Sequence, residues 1–122
     1  MIPYGRQTID ELDVDSVLTC LKSDRITQGG AVPVFEQALA EKVGAKYAVA
    51  CSSGTAALHM ACHWLLQGTS KRVWTSPNSF LASANAPMQC GAKVNFVDID
   101  PDTGLMCMKA LHQKLQETPR SS

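Results

Sequence analysis

The chain predicts an α/β fold with a parallel-rich sheet and helices on its faces. Three observations carry that prediction. From residue 46 short apolar runs alternate with longer helix-like stretches; glycines or prolines mark most of the changes; and the order reads β-α-β-α-β-α. Short apolar strands separated by helices are covered on both faces, and their crossovers are right-handed.

The elements follow in order. Residues 1–9 hold Pro3, Gly5 and few apolar positions, and read as an extended lead-in. Residues 10–22, DELDVDSVLTCLK, predict a helix capped by Asp10, with Glu11 and Asp13 at its positive end. Leu12, Val14, Val17, Leu18 and Leu21 recur close to helical spacing. SDRITQGGAVP at 23–33 breaks the pattern with two glycines and a proline, and reads as a loop. VFEQALAEKVG at 34–44 is a second amphipathic helix, with Phe35, Leu39 and Val43 on one face and Gly44 as its C-cap.

KYAVAC at 46–51 is the first expected strand, followed by a helix from Gly54 to Gln67 that Gly68 and Thr69 end. RVWTS leads through Pro77 to a helix from Phe80 to Cys90, closed by Gly91. KVNFVDI is the third strand, Pro101 begins a turn, and a last helix spans 106–117. The predicted organisation is an N-terminal arm, helix and loop at 1–33, an α/β portion at 34–118, and a frayed tail at 119–122. Three parallel strands leave a sheet edge open, so the alternation reads as the first half of a domain.

Composition narrows the function. The chain has 122 residues, 45% hydrophobic and 18% charged, which is globular composition. Eleven basic residues balance eleven acidic ones. With no basic patch, nucleic acid is not an expected partner. No apolar stretch approaches the ~20 residues that span a bilayer, and the start lacks the basic-then-apolar order of a signal peptide. A cytoplasmic protein without a membrane partner is the expectation. The five cysteines are widely spaced, with no C-x-x-C, which argues against a disulfide framework or zinc ribbon and predicts buried, reduced thiols.

The chemistry-bearing residues gather at strand ends, where ligands sit in parallel α/β sheets. CSSGTAAL at 51–58 places Ser52, Ser53, Gly54 and Thr55 at a strand-to-helix junction. A helix start offers unpaired N–H groups and partial positive charge to a phosphate. Simple capping by Ser52 or Ser53 explains the same residues and is the commoner use. No G-K-[ST] follows and G-x-G-x-x-G is absent, so neither a Walker loop nor a dinucleotide fingerprint is present. Phe80, beyond the second strand, could stack on a flat ligand or fill the core. Asp98 and Asp100 fall two apart, and a solvated turn is favoured over a metal site. His59 and His63 are spaced i, i+4 with Cys62 between them, but no third ligand presents itself and structural roles are favoured. No metal is expected, and no Ser-His-Asp or Cys-His arrangement is evident.

Several segments, in order and at matching spacing, resemble the N-terminal part of the DegT/StrS-type sugar aminotransferases. They are MIPYGRQTIDELD, SDRITQGG, AVACSSGTAALHMAC, VWTSPNSFLASANAPMQCGA and VNFVDIDPDTG, and together they cover nearly all of residues 1–115. The resemblance implies part of the large domain of a pyridoxal 5'-phosphate (PLP) dependent transferase of the aspartate aminotransferase type I fold. It implies that Ser53, Gly54, Thr55 and Ala56 hold the cofactor phosphate and that Phe80 stacks on the pyridine ring. It places a nucleotide sugar near Tyr4, Asp24, Arg25, Ile26, Thr27 and Gly54. The implied reaction moves an amino group from glutamate to the 4-keto carbon of a UDP-linked 4-keto-6-deoxy-N-acetylhexosamine, in a homodimer or other self-associated form.

Full-length members also carry an acidic partner for the pyridine nitrogen and a cofactor-linked lysine in an S-x-K-N-like segment. None of Lys22, Lys42, Lys46, Lys71, Lys93, Lys109 and Lys114 sits in that context. The chain therefore reads as an N-terminal fragment with no catalytic residue of its own, not expected to transaminate. The stretch DTGLMCMKAL also departs from the family's D-x-x-x-x-N-[IM]-D pattern. A non-catalytic phosphate-binding or assembly module is the alternative reading. A nucleotide-binding domain of another kind would need a ribose-binding acid after the second strand, where residues 75–79 offer none.

Overall fold

The computed structural model describes residues 5–67 and 71–119. The chain divides into two compact units, residues 1–50 and 51–122.

In the first unit, helix α1 spans Glu11–Leu21. Asp10 caps it: its Oδ1 accepts from the N–H of Leu12 at 2.9 Å and of Asp13 at 3.1 Å. Asp13 Oδ2 accepts in turn from the Asp10 N–H at 3.0 Å, completing a reciprocal box. Helix α2 spans Ala31–Val43, three residues earlier than the apolar pattern suggests. Pro33 thus lies inside the first turn, where its missing N–H costs no helical bond. Gly44 ends α2 at φ +68°, and the Ala45 N–H closes on Ala40 O at 2.9 Å.

The first expected strand, 46–51, is not a strand among the described residues. A strand needs a neighbouring ladder. Here the Ala50 N–H donates instead to Glu36 Oε1, at 2.7 Å. Tyr47 and Val49, the apolar residues that suggested a strand, are exposed.

In the second unit, helix α3 spans Gly54–Leu66, strand β1 Arg72–Thr75, helix α4 Ala82–Gln89, strand β2 Lys93–Phe96 and helix α5 Met108–Glu117. The two strands pair in parallel, from Arg72 opposite Lys93 to Thr75 opposite Phe96. A β1–α4–β2 crossover therefore realises the expected α/β class, with two strands rather than three among the described residues. Helix α4 packs on α3 and on both strands. Its buried residues are small, Ala82, Ala84 and Ala86 with Pro87, so backbones approach closely. Val97 completes this core, fully buried, with its N–H on Thr75 O at 2.9 Å.

Further boundaries differ from expectation, and α5 begins at Met108 rather than at residue 106. Helix α4 starts after Phe80, whose carbonyl accepts from the Ser83 N–H at 3.0 Å. Strand β2 ends at Phe96, because the chain turns into a loop in which Ile99 bridges Met106 antiparallel. Asp100 Oδ1 accepts from the N–H groups of Asp102 and Thr103, both at 3.0 Å, which makes this stretch the expected Asp-rich turn. The cysteines are free, but none is buried: Cys20 and Cys51 are exposed and Cys62, Cys90 and Cys107 half-buried. Alanines occupy the core where thiols were expected. Among the described residues no helix is long and apolar enough to cross a membrane.

Candidate functional site

The site is built at the start of α3. Ser53 is its N-cap in extended conformation, and Ser53 Oγ accepts from the Ala56 N–H at 3.1 Å. Ser53 O accepts from the Ala57 N–H at 3.0 Å and from Cys51 Sγ at 3.3 Å. Two N–H groups of the first turn, those of Gly54 and Thr55, take no acceptor among the described residues. The hydroxyl of Ser53 thus satisfies the third N–H of α3, and the first two remain without an acceptor among the described residues.

A cleft of about 680 Å³ opens beside this turn, lined by Gly54, Thr55, Ala57, Leu58, Ala61 and Phe80. A Cβ added at Gly54 would meet nothing within 4 Å, so the space next to the turn is open to a ligand. Phe80 stands 76% exposed on the same cleft and is not a core residue. The structure therefore brings Gly54, Thr55 and Phe80 together, while Ser53 and Ala56 are bonded to each other at its edge. Ala57, Leu58 and Ala61 were missed, because an apolar face at helical spacing reads as core. No lysine lines the cleft. Lys71 Nζ donates to Leu65 O at 2.6 Å and Lys114 Nζ to Phe96 O at 2.7 Å.

His59 and His63 stack with ring centroids 6.5 Å apart. His59 Nδ1 lies 3.0 Å from Gln89 Oε1, and His63 Nε2 lies 2.8 Å from Gln67 Nε2. Among the described residues no three His, Cys, Asp or Glu side chains gather as a metal site.

The other expected residues, Asp24, Arg25, Ile26 and Thr27, form the loop after α1 in the first unit; Tyr4 lies outside the described residues. Ser23 Oγ bridges this loop, 2.7 Å from Cys20 O and 3.1 Å from Arg25 O. Gln28 adopts φ +51°, unusual for a residue with a side chain. Arg25 and Ile26, with Val17, Leu21, Gly29 and Val32, help line a largely apolar cavity of about 620 Å³. Asp24 and Thr27 do not line it. The contribution of the two flanking helices was not legible, since spacing along a helix does not show which residues border a cavity.

Comparison with known proteins bears on the family and the fold. The profile of the DegT/DnrJ/EryC1/StrS aminotransferase family matches residues 7–121. A UDP-4-amino-4,6-dideoxy-N-acetyl-beta-L-altrosamine transaminase of Campylobacter jejuni is 40% identical over 118 residues, which is 97% of this chain and 31% of the relative. GDP-perosamine synthase of Caulobacter vibrioides is 38% identical over 103 residues, 84% of this chain and 28% of its own. Among solved structures, Helicobacter pylori PseC, an aminotransferase involved in the biosynthesis of pseudoaminic acid, superposes with a TM-score of 0.83 at 32% identity. That match covers 91% of this chain and 30% of PseC. The PLP form of the sugar aminotransferase Spr1654 of Streptococcus pneumoniae gives 0.82 at 29% identity, over 92% of this chain and 29% of its own. The chain thus spans just under a third of the length of these proteins, and its fold is that of the corresponding part of PLP-dependent sugar aminotransferases.

Proposed function

This chain belongs to the DegT/DnrJ/EryC1/StrS aminotransferase family, and on that premise we propose that it is the cofactor-gripping portion of a PLP-dependent nucleotide-sugar aminotransferase. The observation that carries the proposal is the convergence of two unpaired N–H groups and one exposed aromatic ring on a single cleft. The donor set suits the group. Gly54 and Thr55 N–H, with the Thr55 hydroxyl, receive a phosphate at the positive end of α3. Ser53 and Ala56 hold the turn that presents them, and Phe80 packs on a flat ring. When bound, the cofactor supplies an electron sink for carbon–nitrogen exchange.

The names of the relatives support a nucleotide-sugar substrate, and the finer reading is part of the proposal. The amino donor is glutamate, and the acceptor is the 4-keto carbon of a UDP-linked 4-keto-6-deoxy-N-acetylhexosamine, as in pseudaminic acid formation. Tyr4, the 24–27 loop and Gly54 are the residues that the family resemblance assigns to the nucleotide sugar. The working enzyme is a cytoplasmic homodimer, and the 122 residues alone bind without transaminating. A second reading, an assembly module without chemistry, draws on the apolar surface: Trp64 stands 79% and Leu65 62% exposed on α3.

The test is a titration of the isotope-labelled chain with pyridoxine 5'-phosphate, which carries the phosphate and ring but cannot link to lysine. Saturable amide shifts at Gly54 and Thr55, abolished in the presence of excess inorganic phosphate, support the proposal. Shifts confined to other segments, or none at millimolar ligand, overturn it. Self-association with no shift at these amides favours the assembly module.

A further inference from the structure

Helices α3 and α4 pack together; α3 carries the half-buried thiol of Cys62, the half-buried thiol of Cys90 ends α4, and neither lines the cleft. Cys90 is the C-cap of α4, and its Sγ sits 3.8 Å from the backbone oxygen of His59. His59 is three residues before Cys62 on α3. A helical side chain leans toward its helix N-terminus and covers the turn preceding its own Cα. Cys62 therefore covers the patch of α3 against which the Cys90 sulfur rests. The contact between His59 Nδ1 and Gln89 Oε1, 3.0 Å, pins the same two turns together. Burial, and after it the charge of Cys90, push the Cys62 thiol above its ordinary value of 9.0.

We propose that Cys62 and Cys90 are a dithiol couple that closes into an α3–α4 disulfide when a low-molecular-weight disulfide is the oxidant. The Cys90 thiolate attacks that disulfide, takes one of its sulfurs and releases the other as a thiolate. Cys90 then carries no charge, which removes one of the two causes that hold the proton on Cys62. The Cys62 thiolate displaces the remaining small thiol from Cys90, forming the protein disulfide. Two protein thiols are oxidised by two electrons, the small disulfide is reduced to two thiols, and the protons pass to solvent or to the released thiolates. The link joins the helix that begins with Gly54 and Thr55 to the helix that follows Phe80. It thereby couples the redox state of the chain to the two sides of the cleft.

The experiment incubates the whole chain with oxidised glutathione, alkylates it without reduction, and maps the products by mass spectrometry. The expected product has lost about two mass units, the two thiol hydrogens, and yields a cross-linked peptide pair holding Cys62 and Cys90 that dithiothreitol separates. In Cys62→Ser, and equally in Cys62→Ala, the cross-link is lost and Cys90 retains glutathione. Stable glutathione on both Cys62 and Cys90 of the unmodified sequence, or cross-links joining other cysteines instead, overturns the proposal.

Discussion

Gln28 and Gly29 shape the loop after α1 by opposite means. Gln28 holds φ +51°, a left-handed conformation that costs a residue with a Cβ roughly 1–2 kcal/mol. At Gly29 the constraint is space: a Cβ there would collide with the carbonyl oxygen of Arg25. That oxygen belongs to backbone and cannot swing aside. Gly29→Ala must therefore open the turn that carries Asp24, Arg25, Ile26 and Thr27, with an expected loss of about 1–3 kcal/mol. Gln28→Gly removes the conformational strain while loosening the unfolded chain, for a net gain of at most about 1 kcal/mol. Urea denaturation of the two variants reads both signs; a silent Gly29→Ala would show that the loop does not hold this turn. Such pairs are invisible in the string TQGG, which announces a turn but not which residue is strained and which is crowded.

Among the elements, helix ends were legible wherever a local signal sets them. Asp10 with Asp13 marks the start of α1, and Gly44 and Gly91 mark ends in left-handed conformation. Strands were less legible, because a strand is a relation between segments. KYAVA has the right residues, yet its Ala50 N–H is spent on a carboxylate of α2, whereas RVWT and KVNF find each other. The α4 helix shows what a pattern of small residues means once packed. Ala86 is only 2% exposed and lies in the helix that meets α3 and both strands. Ala86→Leu forces extra methylenes into this close approach, with an expected cost of about 1–3 kcal/mol. Because α4 follows Phe80, the same variant should also shift the amides of Phe80 and Leu81. A stability loss with no shift there would separate the packing of α4 from the cleft.

At the scale of the whole molecule, the proposed function separates gripping a cofactor from linking to it. The motif SSGT and the later Phe80 made half of the cleft's lining legible, namely Gly54, Thr55 and Phe80, since a helix start after a strand and an aromatic beyond the next one are local signals. What was not legible was Ala57, Leu58 and Ala61, whose exposure depends on what else packs on α3. The seven lysines supply the decisive comparison. None lines the cleft, and the nitrogens of Lys71 and Lys114 are held by carbonyl oxygens of Leu65 and Phe96. Incubation with PLP, borohydride reduction and peptide mapping should therefore label several exposed lysines partially and none stoichiometrically. The label should not fall when glutamate is added, because surface adducts do not turn over. In the same sample, Gly54 and Thr55 should still report the phosphate. One lysine fully labelled and protected by glutamate would show instead that these residues already assemble a reacting centre, and the separation of grip from linkage would fail.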